Sequence, residues 1–177
     1  MKIKKIFSRI NRSFIYKLDG LNTKLYVKKY DKWLKKNGVD INGKIKYIHH
    51  SVFLDGTDYS KIHLGDKIVM SVGCILLVHD FSLEAGMIAC GEGSENEAYF
   101  LKDVYIGNNC FVGAKSIILC GARIGNNCII GAGSVVPGKV FPDNSIIAGN
   151  PAKIIGNTID WAQRKKKENE FKRGFYN

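Results

Sequence analysis

Aliphatic residues recur every six positions along much of this chain. Leu64, Met70 and Leu76 share the interval, and Ile106, Val112, Ile118, Ile124, Ile130 and Val136 take it up again after a gap between about Leu83 and Lys102. Six is the period of neither a helix nor a strand. It fits a unit of one short strand plus one turn, three of which close a triangular coil. The first slot of each unit then points inward, and stacked coils bury it as a continuous column. Slot two is a corner, where a missing Cβ relieves crowding; Gly107, Gly113, Gly125 and Gly131 stand there, with Leu119 as the exception. Slot five also points inward but has little room, and it holds Cys74, Cys110, Ser116, Ala122, Cys128 and Ser134, with the larger Ile68. The pattern predicts an all-β chain built as a parallel β-helix. Three of the five cysteines are thereby read as small core residues.

The first segment has a different texture. Ile3, Phe7, Ile10, Phe14 and Leu18 fall at steps of four, three, four and four, a helical stripe set among Lys and Arg. Gly20 ends or bends that helix, and "TKLYVKKYDKWLKKNG" continues helically towards Gly38. The division expected is a basic helical cap over residues 1–38, a β-helix over 39–158 with an extruded loop at about 82–103, and a basic tail or short helix over 159–177.

Charge follows the same division. Of the net +11, residues 1–36 hold 12 Lys or Arg against Asp19 and Asp31, while residues 37–159 hold 9 basic against 11 acidic side chains. A nearly neutral body with basic ends suits either a cap that packs its stripe on the body or an amphipathic surface that meets anionic lipid or a polyanionic acceptor. Nothing accompanies the charge that would read nucleic acid. Five cysteines without CxxC spacing do not make a disulfide framework or a zinc site. The longest apolar run, Ile68 to Val78, is eleven residues and too short to span a bilayer. Arg9 and Arg12 break any signal-peptide pattern, so a cytoplasmic location is expected.

With the hexad pattern, the runs "IIGAGSVV" and "IIAGNPAKII" make the chain resemble the hexapeptide-repeat acyltransferases. Within them it is most similar to sugar O-acetyltransferases of the galactoside, maltose and capsule-modifying type. The resemblance covers roughly Leu64 to Ile155. It implies a left-handed parallel β-helix and a homotrimer with acetyl-CoA, the acyl donor, in a groove between neighbouring subunits. No metal is implied.

Moving an acetyl group from a thioester to a hydroxyl requires a proton acceptor, donors for the developing oxyanion and alignment of both substrates. His79, in "LLVHDFS", stands where the repeat breaks, and the resemblance implies a catalytic base at this point. Asp80 and Asp55 are candidates to orient it or to contact the acceptor. His49 and His50 lie in an early coil, either lining the acceptor side or at the surface, and His63 reads as a surface position. The long segment "FSLEAGMIACGEGSENEAYFLKD" corresponds to a loop that, in the resembled family, walls the site of a neighbouring subunit. For the donor, matching positions are Gly113 and Ala114, Gly131 and Ala132, with Lys153 of the "NPAK" tail near the nucleotide phosphates. Phe111 replaces the family's usual Trp, and Lys139 lies one residue beyond the usual lysine. Gly156 stands where many relatives have Arg, which leaves Lys139 or the run Arg164 to Lys167 as further cations.

The reading is therefore an acetyl-CoA-dependent O-acetyltransferase acting on a saccharide hydroxyl in cell-envelope or capsular glycan biosynthesis. An N-acetyltransferase of a nucleotide-linked amino sugar shares the same logic. A non-catalytic trimeric β-helix scaffold is the alternative of another class.

Overall fold

A computed structural model describes residues 10–56, 58–168 and 171–172. The chain forms a left-handed parallel β-helix of short strands stacked into three flat faces. Face A stacks Asp40–Ile41, Ile62–Leu64, Val104–Ile106, Arg123–Ile124 and Val140–Phe141. Face B stacks Tyr47–Ile48, Val69–Met70, Phe111–Val112, Ile129–Ile130 and Ser145–Gly149, and face C stacks Phe53–Leu54, Ile75–Leu76, Ile117–Ile118 and Val135–Val136. The terminal strand Ala152–Asn157 turns back antiparallel on Ser145–Gly149.

The hexad residues make the core. From Ile106 to Val136 every slot-one side chain is at most 3% exposed, and the slot-five residues from Cys74 to Ser134 are buried with them. Slot five does more than fill space. The Cys74 thiol donates to the Gly113 carbonyl (3.1 Å), Cys110 to that of Gly125 (3.1 Å), and the Ser116 hydroxyl reaches the carbonyls of Gly113 and Gly131 (2.8 and 2.9 Å). Small donors therefore add bonds to corner carbonyls, two of which, on Gly113 and Gly131, also accept the backbone N–H of Ser116 and Ser134 (3.3 Å each).

The slot-two glycines owe their place to crowding. A Cβ on Gly113 would lie 2.5 Å from the Ala132 backbone nitrogen, and one on Gly107 would lie 2.6 Å from the Gly125 carbonyl carbon. Left-handed backbone falls two residues later, at Asn109, Lys115, Gly121, Asn127 and Gly133. The asparagines also form a ladder, Asn109 to Asn127 (3.2 Å) and Asn127 to Asn144 (3.0 Å), that staples the A/B corner.

At the N-terminus the packed face differs from the expected stripe. Residues 10–16 are helical (α1) and Thr23–Lys36 form α2, capped by the Asn22 side chain. Tyr26, Tyr30, Trp33 and Leu34 of α2 join the first coil's core, and the Tyr26 hydroxyl donates to the Ile48 carbonyl. Ile15 is buried and Leu18 partly so, whereas Ile10 and Phe14 are exposed. Ile3 and Phe7 lie outside the described residues. Aromatic bulk on α2 closes the end of the column, and Ile10 and Phe14 are left facing solvent.

Between Leu76 and Val104 the chain leaves the coil. His79–Asp80 pairs antiparallel with Phe100–Leu101, and Ser82–Ala89 forms a helix (α3) between them. A last helix, Thr158–Glu168 (α4), carries Arg164 to Lys167 on its exposed surface. Among the described residues no helix is long and apolar enough to cross a membrane.

Candidate active site

The excursion departs from the corner between faces C and A, and this corner breaks the glycine rule. Its slot-two residues are Asp55, Leu77, Leu119 and Pro137, stacked from coil to coil. Side chains here project into a cleft of about 290 Å³ lined by Leu77, His79, Asp80, Phe81, Leu119 and Cys120.

His79 is fixed from below. Its Nδ1 hydrogen-bonds the Asp55 carboxylate, which also accepts the Val78 N–H (3.1 Å) and is itself only 3% exposed. A buried carboxylate held by a backbone donor requires N–H at Nδ1, which leaves the basic lone pair on Nε2. The imidazole meets the Phe81 ring edge to face, at 5.3 Å and 75°.

Asp80 points elsewhere. Its carboxylate accepts the Ser82 N–H (2.8 Å), and that bond, with the Ser82 hydroxyl, holds it below the usual carboxylate range. Of the two acids named from sequence, Asp55 reaches His79 and Asp80 caps the turn. Asp55 occupies the same slot as Leu77 one coil below, but 22 residues earlier. Residues 55–61, with their short helical turn at Tyr59–Lys61, lengthen the first coil and hide that register in the sequence.

The other candidates divide between two edges. Gly113, Ala114, Gly131 and Ala132 stack at the B/C corner, and Ala148 continues the column. Lys153 pairs with Ala148 and stands at the end of that track. Face C separates this track from His79. Lys139 is on the His79 side, following Gly138, which packs on the Cys120 and Gly121 corner. Phe111 lies on the outside of face B between Val69 and Ile129, so the ring beside His79 is Phe81.

His49 and His50 sit at the first coil's B/C corner, away from the cleft. With Asp19 they place three possible ligand atoms within 4.8 Å of one another. All three residues already have partners: His50 Nδ1 pairs with Asp19 (2.8 Å), the Tyr47 hydroxyl donates to the same carboxylate (3.0 Å), and His49 Nδ1 accepts the Ser51 N–H (3.1 Å). The group straps the N-terminal segment to the coil. His63 lies on face A, stacked on Tyr105 at 4.2 Å and bonded to Asp40 (2.9 Å). Cys74, Cys110 and Cys128 stand in the core, away from the cleft, and burial pushes the Cys74 thiol up.

Comparison with known proteins agrees with this architecture. Residues 103–138 match the family described as bacterial transferase hexapeptide (six repeats). Protein CapG of Staphylococcus aureus is 38% identical over 136 residues, 77% of this chain and 75% of CapG. A maltose O-acetyltransferase from Clostridium difficile superposes with a TM-score of 0.54 at 23% identity, covering 85% of this chain and 88% of that one. A hexapeptide-repeat acetyltransferase of Vibrio cholerae, complexed with acetyl coenzyme A, gives 0.55 at 17% identity, covering 86% and 87%. The chain belongs to the bacterial hexapeptide-repeat transferases.

Proposed function

We propose that this protein is an acetyl-CoA-dependent O-acetyltransferase acting on a saccharide hydroxyl, in cell-envelope or capsular glycan biosynthesis. The observation that carries the reading is the His79–Asp55 pair at the rim of a cleft, on a fold shared with acetyltransferases. His79 Nε2 takes the proton of the sugar hydroxyl as its oxygen attacks the thioester carbonyl. The C–S bond then breaks, and the proton passes to the departing thiolate as CoA thiol. Asp55 fixes the tautomer and stabilises the imidazolium formed on the way. Pantetheine follows the Gly113, Gly131 and Ala148 column, where small side chains admit a ligand to the main chain, with Lys153 facing the phosphates at its end.

His79 and that column lie on different edges of one prism, so a site containing both is shared between copies. The outward sides of faces B and C favour association. Val69, Phe111, Ile129 and Ile146 line one, and Phe53, Ile75, Ile117 and Val135 line the other, two apolar columns that a trimer would cover. The excursion walls the neighbour's site in this arrangement. Lys139, on the His79 edge, then faces the donor bound to the adjacent copy.

The protein works in the cytoplasm, at the inner membrane face. Ile10, Phe14, Leu21 and Leu25 are exposed at the N-terminus beside Lys17, Lys24 and Lys28, a surface suited to anionic lipid. Thiol release from acetyl-CoA with a panel of sugars tests the function. Sugar-dependent release with an alkali-labile acetyl ester on the product is expected, and no release above spontaneous hydrolysis with any sugar would overturn it.

A further inference from the structure

The extruded segment carries a second feature that proton transfer does not use. Tyr99 packs on Phe81 with ring centroids 4.9 Å apart at 32°, and Phe81 in turn touches the His79 ring. Both rings are 47% exposed. They come from opposite limbs of the excursion, and those limbs are fixed to each other. His79 pairs with Leu101 and Asp80 with Phe100, while the Glu84 carboxylate accepts the Ala98 N–H at 2.6 Å. Two large rings are thus held one against the other, Phe81 lining the cleft and Tyr99 behind it, with neither sunk into the core.

We propose that Phe81 and Tyr99 form a stacking platform for the pyranose ring of the acceptor, turning one ring hydroxyl towards His79. This rests on the acyl-transfer reading above. A pyranose carries its hydroxyls around the rim and bare C–H bonds on its faces. Those C–H bonds are weakly positive and meet the negative face of an aromatic ring favourably. The Asp80 carboxylate, kept ionised by Ser82, is an acceptor for a second hydroxyl at the same cleft. An acyclic polyol offers the same hydroxyls without a flat apolar face, so the platform selects cyclic sugars.

The test uses the full-length protein with three acceptors: methyl β-galactopyranoside, the methyl glycoside of N-acetylglucosamine, and sorbitol. Saturation-transfer NMR should place one C–H face of at least one pyranoside against protein aromatic protons. Phe81→Ala and Tyr99→Ala should each raise the pyranoside KM about tenfold and cut the preference over sorbitol to match. Phe81→Tyr and Tyr99→Phe keep the rings and should restore the pyranoside preference over sorbitol that the alanine variants lose, which separates stacking from folding. The proposal is overturned if both alanine variants shift the pyranoside KM by less than about twofold, or if no pyranoside receives saturation. Pyranosides that bind on the rings without any thiol release would leave the platform standing and sink the acyl-transfer reading.

Discussion

Replacing Asp55 by Asn isolates the orienting role of the buried carboxylate. The amide has nearly the same shape, and its oxygen can still accept the Val78 N–H now bound at 3.1 Å. What it loses is the charge that fixes N–H at His79 Nδ1 and stabilises the imidazolium. The amide NH₂ can also donate to Nδ1, which moves the proton to Nε2 and blocks the base. A positioned general base is worth about 10²–10⁴-fold in rate, so kcat/KM should fall at least roughly 100-fold, near 2.7 kcal/mol of transition-state stabilisation. Stability should fall by about 1–3 kcal/mol, the range for weakening a buried hydrogen bond. Acetyl-CoA affinity should change little, because the Gly113, Gly131 and Ala148 column with Lys153 holds the donor and the buried Asp55 does not touch it. Asp80→Asn is the paired control, since its carboxylate serves Ser82 and the acceptor; it should cost less than about tenfold, mostly in KM. Thiol release under steady-state conditions, with thermal melts of each variant, reads both effects. An Asp55→Asn enzyme within about threefold of wild type, or a larger loss from Asp80→Asn, would refute the assignment.

Four further outcomes are expected. Gly113→Ala puts a Cβ 2.5 Å from the Ala132 nitrogen and should destabilise the coil by about 1–3 kcal/mol in denaturant melts, with no comparable effect for Gly86→Ala, whose Cβ meets nothing within 4 Å. A His79→Ala protein mixed and refolded with a Gly131→Trp protein should regain part of the activity that each lacks alone, because some assembled sites pair an intact histidine with an intact track; no regain would argue against a shared site. Phe14→Asp with Leu21→Asp should abolish sedimentation with phosphatidylglycerol vesicles while leaving transfer to soluble sugars intact, and undiminished sedimentation would remove the membrane proposal. Tyr47, its phenol pushed up to about 12 by burial and by its bond to Asp19, favours the folded state fully below pH 10.0 and loses that contribution as pH rises to about 12. The Tm difference between wild type and Tyr47→Phe should therefore narrow across that window, and a constant difference would contradict the strap.

Much of the prism was legible because a slot-one residue has one physical job: Ile106 to Val136 recur at six and are all buried. His79 was legible for the opposite reason, since it stands where the count stops. Asp55 was nameable but its partnership was not, because coil contacts join residues about 18 to 24 apart and the first coil is longer than its neighbours. The helical stripe at Ile10 and Phe14 was a true period that left its partner open, and in the fold both side chains are exposed. Periodicity shows that a face exists, whereas the partner is chosen by shape, and Tyr26, Tyr30 and Trp33 fill the open end of the coil better. Slot five is visibly small in the sequence, whereas the bonds that its hydroxyls and thiols donate appear only in the fold. The aromatic pair Phe81 and Tyr99 left no signal at all, because 18 residues separate them and only the antiparallel limbs bring them together.

The central claim is that His79 is the base of a sugar acetylation. The most direct measurement is sugar-dependent thiol release by wild type and His79→Ala at saturating acetyl-CoA, with CoA binding measured alongside. A loss of about 10²–10⁴-fold in kcat is expected, with CoA affinity unchanged. Equal rates in the two proteins would contradict it.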